Sequence, residues 1–215
     1  MNNKNTKILA AGGPQELINI SINFENINTM DNYYIKSRYI PFQKCCECIK
    51  QYLDINTCLD LCTSSGHFVY VALENNINCE GFDLEFKDIY NKIFSKKFNK
   101  KPLFQFDLNN IHTLNKKYDI ITNFHLTHIF DTNSFLYLLK ILSNITKYTY
   151  LHISKSNKTI IKNYDFIDII DFHDYKINMH GTNTTTWVFL KFKNSIKINK
   201  IKEFIRPKYL ITLKD

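Results

Sequence analysis

The chain has 215 residues, 44% of them hydrophobic and 14% aromatic, with a formal net charge of +8. That is enough apolar material for one domain with a real core, and it excludes a disordered tail, a collagen-like repeat and a disulfide-stapled miniprotein. No apolar run approaches the roughly 20 residues that span a bilayer, and Met1–Gly13 lacks the hydrophobic stretch of a secretory signal, so a soluble, cytoplasmic protein is expected.

Residues 1–40 read as an Asn-rich extension, with a strand predicted at Leu17–Phe24, where Ile18, Ile20, Ile22 and Phe24 alternate with Leu17, Asn19, Ser21 and Asn23. From Pro41 the pattern becomes helical, with Phe42, Cys45, Cys46, Ile49 and Leu53 at the spacing of one face. A buried strand follows at Thr57–Cys62, then a small-residue turn and the apolar segment Phe68–Leu73. Asn78–Asp83 reads as a second strand, Glu85–Phe94 as a helix and Leu103–Phe106 as a third strand. Tyr118–Phe124 is a fourth strand, and Phe135, Leu138, Leu139 and Leu142 form a helical stripe. Tyr148–Ser154 is a fifth strand, Phe166–Phe172 a further element, and Thr184–Phe192 a last strand. No repeat, linker or composition break divides the chain. The expected organisation is a single domain, with a core over residues 41–192 and a basic tail at 193–215.

Short apolar strands alternating with helices imply a mostly parallel sheet covered on both faces. Ligands of such sheets sit beyond the carboxyl ends of the strands, so the residues after each strand carry the functional information. The first strand runs into Asp60-Leu-Cys-Thr-Ser-Ser-Gly-His-Phe68, a small-residue turn that lets backbone N–H groups approach a ligand. The second ends in Asp83, suited to both hydroxyls of a ribose, the third in Asp107 and the fourth in Asn123-Phe-His125. Intervals of 23, 24 and 16 residues between these positions suit a nucleoside-binding cleft. The pyrophosphate fingerprint Gly-x-Gly-x-x-Gly is absent, which argues against a nicotinamide-dependent enzyme.

Over Leu53 to Phe192 the sequence resembles the class I, Rossmann-like S-adenosylmethionine-dependent methyltransferases. Cys58-Leu-Asp-Leu-Cys-Thr-Ser-Ser-Gly-His-Phe68 resembles the family's first motif and Gly81-Phe-Asp-Leu-Glu85 its ribose motif. Phe106-Asp107 resembles its adenine-edge motif, and Tyr118-Asp-Ile-Ile-Thr-Asn-Phe-His125 its fourth. The resemblance implies a doubly wound, mostly parallel seven-stranded α/β sheet with helices on both faces and an antiparallel C-terminal strand. It implies S-adenosylmethionine as cofactor, with Asp60, Ser64 and Gly66 near its amino-acid part and Cys62, His67 and Phe68 in the same turn. Asp83 would take the ribose hydroxyls, Asp107 the adenine, and Asn123 the region of the methyl group. The family's first motif usually carries three glycines; here only Gly66 remains, with Cys62 and Ser64 in the other two places.

Within the family, the first motif is most similar to that of FtsJ-like ribose 2′-O-methyltransferases, which include viral mRNA cap enzymes. Ser37-Arg38 followed by Lys44 resembles their entry segment, with Lys36 as a rival to Lys44. Those enzymes use a Lys-Asp-Lys-Glu tetrad in which a lysine after strand five deprotonates the ribose hydroxyl. The resemblance gives that role to Lys155, a supporting one to Lys44, and puts neutral Asn123 and the acid-free Thr184-Thr-Thr186 at the two acidic positions. A second reading is a small-molecule methyltransferase with His125 or His128 as general base, since imidazole titrates near working pH. A third is a catalytically inactive module that keeps the fold and binds RNA or protein.

Five lysines and no acid lie in Lys92–Lys101, and basic residues interleave with Phe192, Phe204 and Tyr209 over Lys191–Lys214, a pattern suited to single-stranded RNA. The chain also holds 30 Ile, 26 Asn and 26 Lys against two Arg, as an AT-rich coding sequence produces, so charge placement counts for more than the total. Cys45, Cys46, Cys48, Cys58, Cys62 and Cys79 are expected to be reduced thiols. Cys45 and Cys48 share a helix face, but no second Cys pair or His pair stands at zinc-site spacing, so no metal is assigned.

Overall fold

The computed structural model describes residues 39–52, 54–63, 66–84, 88–124, 130–175 and 185–198. The strand expected at Leu17–Phe24 lies outside them. Helix α1 (Ile40–Lys50) starts with Pro41 in its first turn and buries Phe42, Cys45, Cys46 and Ile49 along one stripe. Strand β1 (Thr57–Leu61), α2 (His67–Glu74), β2 (Asn78–Asp83), α3 (Asp88–Phe98) and β3 (Leu103–Gln105) form the first half of the fold. A 3₁₀ helix at Leu108–Thr113 leads to β4 (Tyr118–Asn123), α4 (Thr132–Ile145) and β5 (Thr146–Ile153). Short α5 (Lys155–Ile160), a 3₁₀ turn at Ile161–Asn163, β6 (Ile167–Tyr175) and β7 (Thr185–Phe192) complete it.

The seven strands form one sheet in the order β3-β2-β1-β4-β5-β7-β6. β1 pairs in parallel with both β2 and β4, so the topology reverses between them and opens a crevice at their carboxyl ends. The C-terminal strand is antiparallel, as the resemblance implies, and β7 slots between β5 and β6. Several element boundaries also differ from the sequence reading. Helix α3 runs four residues further than expected, to Phe98, and β3 stops at Gln105, because Asp107 already caps the 3₁₀ helix through Asn109 N.

Parallel strands must bury both faces, and the side chains alternate accordingly. Cys58, Ile120, Tyr150, Trp187 and Phe189 join α1, α2 and α3 in one core layer. Leu59, Ile121, Leu151, Val188 and Leu190 join α4 and the 3₁₀ segments in the other. Aromatic rings knit the first layer: Phe124 lies 4.5 Å from Trp187, 4.8 Å from Phe68 and 5.2 Å from Phe42, centroid to centroid. At the opposite end of the sheet, the Asp119 carboxylate accepts from Asn56 N, Thr57 N and Thr57 Oγ1 at 2.8–2.9 Å, tying the start of β1 to β4. All six cysteines are free thiols. Among the described residues, no helix is long and apolar enough to cross a membrane.

Candidate functional site

The turn after β1 departs from ordinary backbone at two points. Gly66 has φ +85°, a left-handed conformation that glycine adopts without penalty. A Cβ there would also sit 2.9 Å from Leu103 Cδ1 and 3.0 Å from Phe94 Cζ, so a larger residue would strain the backbone and push the Leu103 side chain aside. Cys62, which stands where the resembling family usually has glycine, is left-handed as well, with φ +54°. A non-glycine residue held there costs about 1–2 kcal/mol. The chain therefore keeps the backbone path of a glycine turn while carrying a side chain on it. Thr63 N donates to Phe82 O and Gly66 N to Thr63 O, both at 2.9 Å, which pins the turn against β2.

Three carboxylates converge on this turn. Asp60 is fully buried in β1; Thr122 Oγ1 donates to its Oδ1 at 2.7 Å, while Oδ2 has no hydrogen bond among the described residues. Burial pushes its carboxyl up to about 7, helped by the nearby charge of Asp83 and opposed by the hydroxyls of Thr63 and Thr122. Asp83 ends β2 half-buried. Asp107 follows β3, also half-buried, and its Oδ1 accepts from Asn109 N at 2.9 Å. Cys62 lies among all three: burial, then the charges of Asp83, Asp60 and Asp107, hold its thiol protonated well above the usual range. The strand ends singled out in the sequence thus meet in space.

The remaining sequence candidates fall in several places. Phe68 is a core ring between Phe42 and Phe124, and His67 is buried in the first turn of α2. Asn123 is fully buried at the end of β4, and its Nδ2 donates to Leu61 O at 3.0 Å, bracing the strand that carries the turn. Lys155 opens α5 directly past β5, the strand beside β4. Lys44 is exposed on α1. Ser64, His125, His128 and the Lys36-Ser-Arg38 segment lie outside the described residues, as does the tail beyond residue 198. At the acid-free tetrad position, Thr186 Oγ1 donates to Asp174 Oδ1 at 2.6 Å, and Asp174 also pairs with Lys158 at 2.7 Å.

Sequence reasoning missed several polar residues near these strand ends. Thr63 and Thr122 face Asp60, and buried His152 near the end of β5 has its Nδ1 3.1 Å from Phe124 O. Their polarity inside otherwise apolar strands was the available signal. Two lysines of the basic run point away from the crevice: Lys100 Nζ donates to Asn78 Oδ1 at 3.0 Å, at the first residue of β2, and Lys97 pairs with Glu74.

A carboxylate with an open oxygen suits the cationic amino end of S-adenosylmethionine, and a half-buried aspartate at the second strand end suits paired hydroxyls. The donor set therefore fits that cofactor. The family model described as a methyltransferase domain matches residues 37–186. A search of curated proteins finds no match. Among solved structures, a Pyrococcus horikoshii protein assigned as an RNA methyltransferase superposes with a TM-score of 0.59 at 14% identity, covering 82% of this chain and 98% of its own. A magnesium protoporphyrin IX methyltransferase from Synechocystis, with S-adenosylmethionine bound, gives 0.56 at 11%, covering 85% and 99%. A Clostridium acetobutylicum S-adenosylmethionine-dependent methyltransferase gives 0.56 at 15%, covering 81% and 98%. At these identities the superpositions establish the fold, while the family model spans more than half of the chain. The chain belongs to the methyltransferase domain family, with S-adenosylmethionine as its cofactor.

Proposed function

We propose that this methyltransferase modifies RNA, with a ribose 2′-hydroxyl as acceptor and Lys155 as the group that takes its proton. The observation that carries the reading is the position of Lys155, the second residue past β5, the strand that pairs with β4. A hydroxyl is a weak nucleophile at neutral pH, so a base at this strand end addresses the difficult part of the reaction. When bound, S-adenosylmethionine supplies an electrophilic methyl group. The chain's own residues do the rest. Asp60 and the Cys62–Gly66 turn hold the amino-acid end, Asp83 the ribose and Asp107 the adenine, so that acceptor and methyl group meet in line with little loss of entropy at the reacting step. The clustered basic residues of Lys92–Lys101 and Lys191–Lys214 support a polyanionic partner. The Pyrococcus neighbour, assigned as an RNA methyltransferase, supports the same class.

A small-molecule acceptor is the second reading, and one observation favours it. Asn123 is neutral, buried and committed to the Leu61 carbonyl, and Thr186 stands where the second acid would be. The two acids that support a ribose-directed lysine are thus missing from their strands. The test has two stages. Calorimetric titration with S-adenosylhomocysteine measures the cofactor site first, and Asp83→Ala weakens binding at least tenfold if that site is right. Transfer of labelled methyl from S-adenosylmethionine is then followed on capped and uncapped transcripts, with nucleoside mass spectrometry identifying the product. A 2′-O-methyl nucleoside whose formation drops at least 100-fold in Lys155→Ala supports the RNA reading. Label found only in small acceptors supports the second. Cofactor binding without transfer to either class supports an inactive binding module.

A further inference from the structure

We propose that Cys48, Asp171 and His173 form a zinc-binding site that clamps α1 to strand β6, separate from the cofactor crevice. The thiol Sγ, one carboxylate oxygen and one imidazole nitrogen all lie within 4.8 Å of one another. His173 Nε2 is already 2.9 Å from Asp171 Oδ2. Ligands on one tetrahedral zinc ion stand roughly 3.3–3.6 Å apart, given bonds of about 2.0–2.3 Å, so small side-chain rotations close the site. One sulfur, one nitrogen and one oxygen donor match the borderline-soft character of zinc. Three protein ligands leave a fourth position for water.

The backbone is built to make this cluster. In β6 the register slips between Ile169 and Asp171: Ile169 pairs with Leu190 and Asp171 with Phe189, leaving Ile170 as an extra residue. Before the slip, Ile167 and Ile169 pack toward the α4 layer, and beyond it Phe172 does so. Ile170 packs toward the α1 layer, and His173 stacks on Tyr150 of that layer at 15°. Strict alternation without the bulge would send Asp171 and His173 to the α4 face, away from Cys48. Bulges of this kind re-aim side chains and mark functional positions. Cys45, which shares a helix face with Cys48, is not part of the ligand set, because it is fully buried in the core.

Binding replaces the Cys48 S–H bond with a Zn–S bond, and the proton passes to solvent. The full chain, stripped with chelator, is titrated with zinc chloride by calorimetry. One equivalent binds with micromolar or tighter affinity, and the melting temperature rises. Cys48→Ser, His173→Ala and the milder Asp171→Asn each weaken binding at least tenfold, with circular dichroism checking that each is folded. Cobalt titration gives a thiolate charge-transfer band that Cys48→Ser abolishes and Cys62→Ser retains. Absence of saturable zinc binding overturns the proposal, as does one-equivalent binding that survives both Cys48→Ser and Asp171→Asn in folded protein.

Discussion

Asp60 shows how one residue couples the fold to its ligand. Its folded carboxyl lies at about 7 against the ordinary 3.8, so the native state keeps a proton that the unfolded chain releases. The stability this gives is complete below about pH 4 and is lost as pH rises through about 7, a swing of roughly 4 kcal/mol. Asp60→Asn, which imitates the protonated form, becomes more stable than the parent as pH rises from 5 to 8 in urea titrations of ligand-free protein. Parallel curves for the two proteins would contradict the assignment. A cationic cofactor end favours the ionised form, so S-adenosylhomocysteine affinity in the parent rises with pH up to about 7, and the variant lacks that component. Cys62 provides a second test. Glycine relieves the left-handed strain and a β-branched residue deepens it, so thermal melts rank Cys62→Gly at or above the parent and Cys62→Val below it by about 2 kcal/mol. The location of Asp60, Asp83 and Asp107 was legible in the sequence because each lies within two residues of the end of a short apolar strand. The strain at Cys62 was not, since side-chain identity does not report φ.

At the scale of elements, strands β1 to β5 and β7 and the helices α1, α3 and α4 were readable because apolar period and turn residues agree there with the tertiary fold, whereas β6 was legible only as an element of unassigned type. The bulge in β6 was not readable. It depends on the partner register with β7, which a single strand's alternation does not encode. The Asp119 clip was equally hidden, because its partners Asn56 and Thr57 lie more than 60 residues earlier. Burial raises that carboxyl, and the three hydrogen bonds outweigh it, leaving it below its ordinary value. Its contribution is therefore present at neutral pH and lost as pH falls below about 4. Asp119→Ala costs about 1–3 kcal/mol at pH 7 by chemical denaturation, and the difference shrinks toward acid pH. An undiminished difference at pH 3 would mean that packing, not the ionised carboxylate, is what the residue supplies.

At the scale of the whole molecule, charge and chemistry are spread over different regions. The carboxylates gather at the carboxyl ends of β1 to β3, while Lys97 and Lys100 of the α3 run engage Glu74 and Asn78 near the start of β2. If RNA is the acceptor, its affinity falls as salt rises, with a slope set by the phosphates it neutralises. Replacing Lys96 on α3 and Lys101 just ahead of β3, both exposed, with Gln flattens that slope without changing S-adenosylhomocysteine affinity. An unchanged slope would show that the nucleic acid follows another surface.

The insertion of β7 between β5 and β6 has a consequence for synthesis on the ribosome. β6 emerges first but has no neighbour in the sheet until β7 has followed it, and β5 keeps a bare hydrogen-bonding edge for the same interval. The first five strands can assemble as they appear, N-terminal part first. The last two must wait and enter together as a hairpin that docks on β5 through β7. Any pause between residues 175 and 192 therefore exposes an unpaired strand edge to other nascent chains, and a chaperone that covers edges has its main task in that window.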